Sequence, residues 1–389
     1  DSSFQTSKIA GNYYYGDRTM SKSARRIILI VSLLGLVPLF SATSQAQVAE
    51  ARKAETEKLI SLSRRPASTM DGPYEMVENW PTLLPGQEWG AAIGLIPDDT
   101  GGLWMLFRSE PPINYVNAEG QITKSFGEGM IVQAHGFCMD NDGNLWAGDS
   151  GPFSDDPSTA GRGFQIHKFS PDGEHLLSLG QAGVSRAGTE TFIGPTACSL
   201  MPDGNIVIAD GHWPRPSNAQ QDGDRLVVIT PAGEFVREVG KMGAGPGEFM
   251  GPHALTYDAQ GRLYVADRSN NRVQILDENL EFVDDWRHFG RPSGITVLED
   301  GTFVVADSES GGLLGGPSIA PEGGGRVARN PGFQVGIRIG QTNGSLQYYI
   351  PGTRPEGMAA DNLGNIFAGL TGGCDVSPSG GCLQKWVRK

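Results

Sequence analysis

No run of about 20 apolar residues occurs anywhere in the 389-residue chain, so no segment has ordinary membrane-spanning length. No Cys-x-x-Cys pair occurs, which excludes a zinc ribbon. His-Glu-x-x-His and Gly-x-Ser-x-Gly are also missing, so neither a zincin helix nor a serine elbow is present. Gly243-Ala-Gly-Pro-Gly matches a loose glycine-rich pattern, but no helix follows to offer its N-terminus to a phosphate. Positive charge is scarce: 31 Lys and Arg stand against 44 Asp and Glu, for a net charge of −13. Nucleic acid is therefore not an expected partner, because phosphate binding needs a basic face.

Glycine, by contrast, is abundant: 55 residues, about twice the usual share. Without a collagen period, that abundance points to many tight turns between short strands. The N-terminal region reads as targeting rather than fold. Residues 1–19 are expected to be an upstream extension. Residues 20–46 are expected to be a signal peptide, with basic Lys22, Arg25 and Arg26, an apolar run from Ile27 to Phe40, and small Ser44 and Ala46 before the cleavage point. The expected location is exported, periplasmic or extracellular, with membrane association only if that segment stays uncleaved. Residues 47–73 read as a leader. Four cysteines follow, and export permits disulfides. Cys374 and Cys382 flank a Ser/Pro/Gly loop and are expected to pair; Cys138 and Cys198 are either a second pair or buried thiols.

Six segments repeat one pattern: an apolar run, a turn that is usually Asp-Gly, and a second apolar run. The turn glycines are Gly101, Gly143, Gly204, Gly261, Gly301 and Gly364. Spacing of about 40 residues, lengthened by inserts, fits four-stranded propeller blades, and Asp-Gly between β-rich runs is a hairpin signal. The last unit has only three strands before Lys389, so Tyr74–Trp80 is expected to supply the fourth and close the ring. The fold class is thus all-β: a six-bladed β-propeller over 74–389 with an N-terminal strand closing the last blade.

The segment from Gly251 to Ile275, with Pro-His-Ala-Leu-Thr-Tyr-Asp and Arg-Leu-Tyr-Val-Ala-Asp-Arg-Ser-Asn-Asn-Arg, closely resembles an NHL repeat. The whole of 74–389 resembles the six-bladed peptidyl-α-hydroxyglycine α-amidating lyase (peptidylamidoglycolate lyase) family. That resemblance implies three channel histidines on zinc, arginines that bind substrate beside it, and a tyrosine base. This chain keeps His135, His253, Arg108 and Arg268 at the matching positions. It departs at Glu356, where the family has its third histidine, and at His212, where the family has its tyrosine. Gly357 stands where the family has an Asp bound to structural calcium.

Register gives the same grouping independently. The first slot of the innermost strand holds Ile93, His135, Thr196, His253, Ser293 and Glu356 in turn. His135, His253 and Glu356 fall on alternate blades and should converge on the channel axis as a three-ligand site for zinc or another divalent metal. The competing reading makes them ordinary polar rim residues. Arg108, Arg268 and His212 end or follow the returning strands, so hairpin geometry puts them at the same rim. His212 is expected to act as the catalytic base, while the arginines either bind substrate or pair with the recurring Asp149, Asp210, Asp267 and Asp307. The inserts 150–163, 211–223 and 308–326 should rise on that face as a lid or wall, with Trp213 either against a ligand or anchoring its own loop. The resulting expectation is a metal-dependent lyase that cleaves the C–N bond of a peptidyl- or N-acyl-α-hydroxyglycine, a small-molecule or peptide substrate with a carboxylate, to an amide and glyoxylate. The alternatives are a metal-dependent lactonase-like hydrolase, or a non-catalytic propeller binding protein, peptide or glycan.

Overall fold

A computed structural model describes residues 72–78, 80–81, 90–311, 330, 332–372, 374 and 381–389. The expected extension, the signal segment and all but the last two residues of the leader lie outside them, as does most of the insert 308–326. Among the described residues, 24 strands form six four-stranded antiparallel sheets. The sheets are blades 1 to 5, at 92–126, 134–179, 195–239, 252–286 and 294–350, and blade 6, which joins 357–388 to Tyr74–Met76. The closing strand pairs Tyr74 with Arg388 and Met76 with Trp386, and the Val77 N–H extends it by donating to the Lys385 carbonyl at 2.8 Å. This strand supplies the fourth strand of the sixth sheet, as the three-strand count of the last unit implied.

The hairpins follow from turn chemistry. All six turn glycines take φ between 78° and 88°, a region an L side chain disfavours. The strands after them carry Trp146, Tyr264 and Phe303, all fully buried between blades. Inter-blade packing of these aromatic and β-branched residues supplies the core. The recurring aspartates are structural. Asp149 accepts from the Val132 and Gln133 N–H groups at 2.8 and 2.9 Å, and Asp210 from those of Ile193 and Gly194 at 2.7 and 2.8 Å. Asp267 and Asp307 clamp Met250 and Arg291 in the same way. Each aspartate thus fixes the loop that enters the innermost strand of its own blade. Asp210, Asp267 and Asp307 also pair with Arg225, Arg272 and Arg338 respectively.

Six innermost strands line the channel: Ala92–Pro97, Ala134–Met139, Pro195–Leu200, Pro252–Tyr257, Gly294–Val297 and Gly357–Ala360. Each packs on its two neighbours around a closed ring. Close approach is possible because the residue after each slot is small: Gly94, Gly136, Ala197, Ala254, Gly294 and Gly357. A Cβ on Gly357 would lie 2.4 Å from the Ile93 carbonyl oxygen, so blade 6 meets blade 1 backbone to backbone there. Both disulfides form. Cys374–Cys382 closes the loop of blade 6, and Cys138–Cys198 ties the innermost strands of blades 2 and 3 together, with Cα atoms 5.5 Å apart. The bonded pairs are consistent with an extracellular or secreted protein.

Candidate metal centre at the propeller mouth

A β-bulge aims the slot side chains. In blades 1 to 4 the pairing register shifts at the start of the innermost strand: between Ala92 and Gly94, Ala134 and Phe137, Pro195 and Ala197, and Pro252 and Leu255. Ile93, His135, Thr196 and His253 sit in these shifts. Such irregularities re-aim a side chain, here toward the channel mouth. In blades 5 and 6 the slot residues Ser293 and Glu356 lie just before the strand, and their N–H groups donate to Ala306 and Gly369 at 2.8 and 2.7 Å.

The two slot histidines are held in the same way. The His135 Nδ1–H donates to the Thr196 carbonyl at 2.7 Å, and the His253 Nδ1–H to the Ser293 carbonyl at 2.6 Å. Each neutral ring therefore turns its Nε2 lone pair into the mouth. His212 joins them from the loop after Asp210; its N–H donates to the Gly194 carbonyl at 3.2 Å, which brings that loop back over the channel. Its ring centroid lies 4.7 Å from that of His135 and 5.9 Å from that of His253. Among the described residues, His135, His212 and His253 are the one group of three or more His, Cys, Asp or Glu side chains whose ligand atoms all lie within 4.8 Å of one another. The rings are buried.

Glu356 is buried beside them and engages both arginines. Its Oε1 accepts from Arg268 Nη1 at 3.0 Å, and its Oε2 lies 3.6 Å from Arg108 Nη1 and accepts from the Thr371 hydroxyl. Oε1 is also 3.3 Å from His253 Nε2. Because Nδ1 of that ring carries the proton, this last contact sets a lone pair against a carboxylate oxygen, a repulsion that positive charge in the mouth would offset. Arg108 also donates from Nε to the Ala134 carbonyl at 3.2 Å, and Arg268 from Nη2 to the Trp213 carbonyl at 3.3 Å. Both arginines thus pair with Glu356, while the recurring aspartates take other partners.

Ten buried side-chain N or O atoms among the described residues have no hydrogen-bond partner, and five of them are here: His135 Nε2, His212 Nδ1, His253 Nε2, Arg108 Nη2 and Arg268 Nε. Buried polar atoms are nearly always satisfied, so their convergence marks a place built for something else. Electrostatics keep the imidazoles neutral. Burial, then Arg268, lowers His253 to about 4; burial holds His135 and His212 well below the usual histidine range, reinforced by their charged neighbours. Burial alone would raise the Glu356 carboxyl, but the guanidinium groups of Arg108 and Arg268 overcome it and hold the group well below the ordinary glutamate value. Neutral imidazoles and a fixed carboxylate are the donor state a divalent ion requires.

The sequence register placed Glu356 with His135 and His253 as metal ligands, and His212 with Arg108 and Arg268 as catalytic residues. All six come together at the mouth, with a different division of contacts: His212 enters the ligand-spaced group, and Glu356 engages the arginines. Phe153 had no sequence signal, because it lies in an insert outside the repeat. It stacks on His212 at 4.4 Å and 10°, and the Arg108 guanidinium lies over its ring, 5.5 Å from the centroid. The first two inserts are joined where Asp155 accepts from the Ser217 N–H at 2.8 Å. Trp213 anchors its own loop, donating to Asp224 at 3.0 Å and stacking under Arg215.

Comparison with known proteins agrees with the fold and the repeat. The NHL repeat family model matches residues 249–276, in blade 4. Peptidyl-glycine alpha-amidating monooxygenase B of Xenopus laevis is 30% identical over 206 residues, 48% of this chain and 21% of that protein. The Caenorhabditis elegans protein named "Probable peptidyl-alpha-hydroxyglycine alpha-amidating lyase" is 28% identical over 254 residues, 64% of this chain and 65% of that protein. The chain thus spans about a fifth of the frog protein and just under two thirds of the nematode one. A gluconolactonase from Xanthomonas campestris superposes with a TM-score of 0.52 at 14% identity, covering 84% of this chain and 98% of that one, which shows a shared fold alone. The chain is a six-bladed propeller that carries an NHL repeat and is homologous to the peptidyl-α-hydroxyglycine α-amidating lyases.

Proposed function

We propose that this protein is an exported, metal-dependent lyase that cleaves a peptidyl- or N-acyl-α-hydroxyglycine to an amide and glyoxylate. The observation that carries the reading is the convergence of three unpartnered imidazole nitrogens with two arginines that each keep one unpartnered buried nitrogen. His135 and His253 would hold zinc or another divalent ion, their Nε2 atoms turned inward by Nδ1 hydrogen bonds to Thr196 and Ser293. When bound, such an ion supplies Lewis-acid polarisation of a substrate oxygen. Arg108 and Arg268 offer Nη2 and Nε to the substrate carboxylate while Glu356 holds their other donors. In the reaction the substrate hydroxyl gives up its proton and its oxygen forms the aldehyde C=O. The C–N bond breaks, and its electron pair leaves with the amide nitrogen, which is protonated. Phe153 covers one face of the His212 ring.

The test is glyoxylate release from benzoyl-α-hydroxyglycine by the purified, metal-loaded chain. Equimolar benzamide and glyoxylate are expected, lost on chelation and in His135→Ala. Glyoxylate no faster than in buffer would overturn the lyase reading and favour a binding propeller.

A further inference from the structure

We propose that His212, and not Glu356, completes the metal-ligand set with His135 and His253, and that Glu356 is the counter-ion that locks Arg108 and Arg268 beside it. The proposal rests on the metal-dependent reading and assigns the work within that site. A metal ligand needs a lone pair free of other partners. His212 has a buried Nδ1 with no hydrogen-bond partner, and it belongs to the group whose ligand atoms lie within 4.8 Å of one another. Glu356 has neither property: Arg268, Arg108 and Thr371 already engage both of its oxygens. Drawing Glu356 into coordination would weaken those contacts and leave two buried guanidinium groups less compensated.

His212 is also held as a ligand would be. Its N–H donates to Gly194 and its carbonyl accepts from Arg215, which is itself paired with Asp224. Phe153 lies flat on its ring, with 10° between the planes. The ring is therefore fixed by its backbone and by one face, without a hydrogen bond to either neighbouring histidine. Nδ1 of His135 and His253 is committed to a carbonyl in the next blade, so three rings from blades 2, 3 and 4 can present one nitrogen each. The 3.3 Å approach of Glu356 Oε1 to His253 Nε2 then places negative charge beside the cluster, which favours a cation there without a fourth protein ligand. His212 so placed does not take the base role that the family resemblance implies for its slot.

The experiment is a Co2+ titration of the metal-free full chain, read by visible absorption and by competition with a chelator. His135→Ala and His212→Asn should both weaken binding by more than ~100-fold, beyond the ~10–100-fold typical of outer-shell changes, whereas Glu356→Gln should stay within ~10-fold. Asn keeps a planar group against Phe153, and unfolding of each metal-free variant checks that it folds. In addition, 15N-histidine-labelled wild type carrying 113Cd should show metal coupling to three imidazoles. A deeper loss in Glu356→Gln than in His212→Asn, or coupling to only two imidazoles, overturns the assignment and leaves the metal-dependent reading standing. A wild-type chain that binds neither ion overturns that reading itself.

Discussion

Even and odd blades differ at one position of the innermost strand. Blades 2, 4 and 6 carry His135, His253 and Glu356; blades 1, 3 and 5 carry Ile93, Thr196 and Ser293. The odd blades serve the even ones: Thr196 and Ser293 offer their backbone carbonyls to the Nδ1–H of His135 and His253. Glu356 breaks the series because a carboxylate has no N–H to give, and the Ile93 carbonyl that would stand in the matching place packs tightly against Gly357. Its partners are side chains instead, Arg108 from blade 1 and Arg268 from blade 4. The comparison teaches that the slot sets where a side chain stands, while the next blade decides which chemistry can be held there.

The sharpest break removes the exceptional member. Glu356→Ala should destabilise the metal-free chain by about 3–5 kcal/mol, the range for stripping one partner from a buried ion pair. The cost arises because two buried guanidinium groups lose their shared carboxylate. Urea unfolding at neutral pH measures it. Folded Glu356 is held below its unfolded value of 4.5. Its contribution is therefore present above that value and fades as the pH falls through the folded value, so wild type and variant should converge in acid. A loss under about 1 kcal/mol would show that the arginines find compensation elsewhere, and Glu356 would no longer be a structural counter-ion.

Much of this architecture is readable from residues. Asp-Gly turns announce the hairpins because only positive φ closes them, and the three-strand last unit requires a strand such as Tyr74–Met76. Register brings His135, His253 and Glu356 to one rim because hairpin geometry preserves height. It does not reveal that Glu356 would meet two arginines, since those contacts cross from blade 6 to blades 1 and 4 and leave no local pattern. The place of His212 depends on a loop turned back by the Gly194 hydrogen bond, outside the repeat's period. Phe153 was invisible for the same reason. The Cys138–Cys198 bond stayed open at the sequence level, because neighbouring repeats allow pairing without requiring it; the 5.5 Å Cα separation of the two innermost strands decides it.

A smaller perturbation tests whether the odd blade positions its neighbour through backbone contact. Gly136→Ala would put a Cβ 2.8 Å from the Ala197 Cα and 2.9 Å from its nitrogen. Backbone cannot rotate away as a side chain can, so blades 2 and 3 must part slightly. Overpacking of this kind costs about 1–3 kcal/mol. Since His135 is adjacent, its bond to the Thr196 carbonyl should lengthen, and Co2+ affinity should fall together with stability. Loss of stability with unchanged Co2+ affinity would mean that the imidazole is held by something other than the blade 2–blade 3 contact.

The mildest change separates the Thr196 side chain from its carbonyl. Its hydroxyl donates to the Ala209 carbonyl at 3.1 Å and also to that of Pro252, linking blade 3 to blade 4. The bond to His135, however, uses the backbone carbonyl. Thr196→Val has nearly the same shape, removes only the hydroxyl, and should cost about 1 kcal/mol in urea unfolding, the ordinary net worth of a hydrogen bond. Co2+ affinity should be unchanged, because the acceptor that orients His135 is still present. If affinity falls as far as in Gly136→Ala, the hydroxyl network and not the carbonyl orients the ring. The odd blades would then hold the metal site through side chains, and the choice of Thr196 and Ser293 at their slots would be a requirement of the site itself.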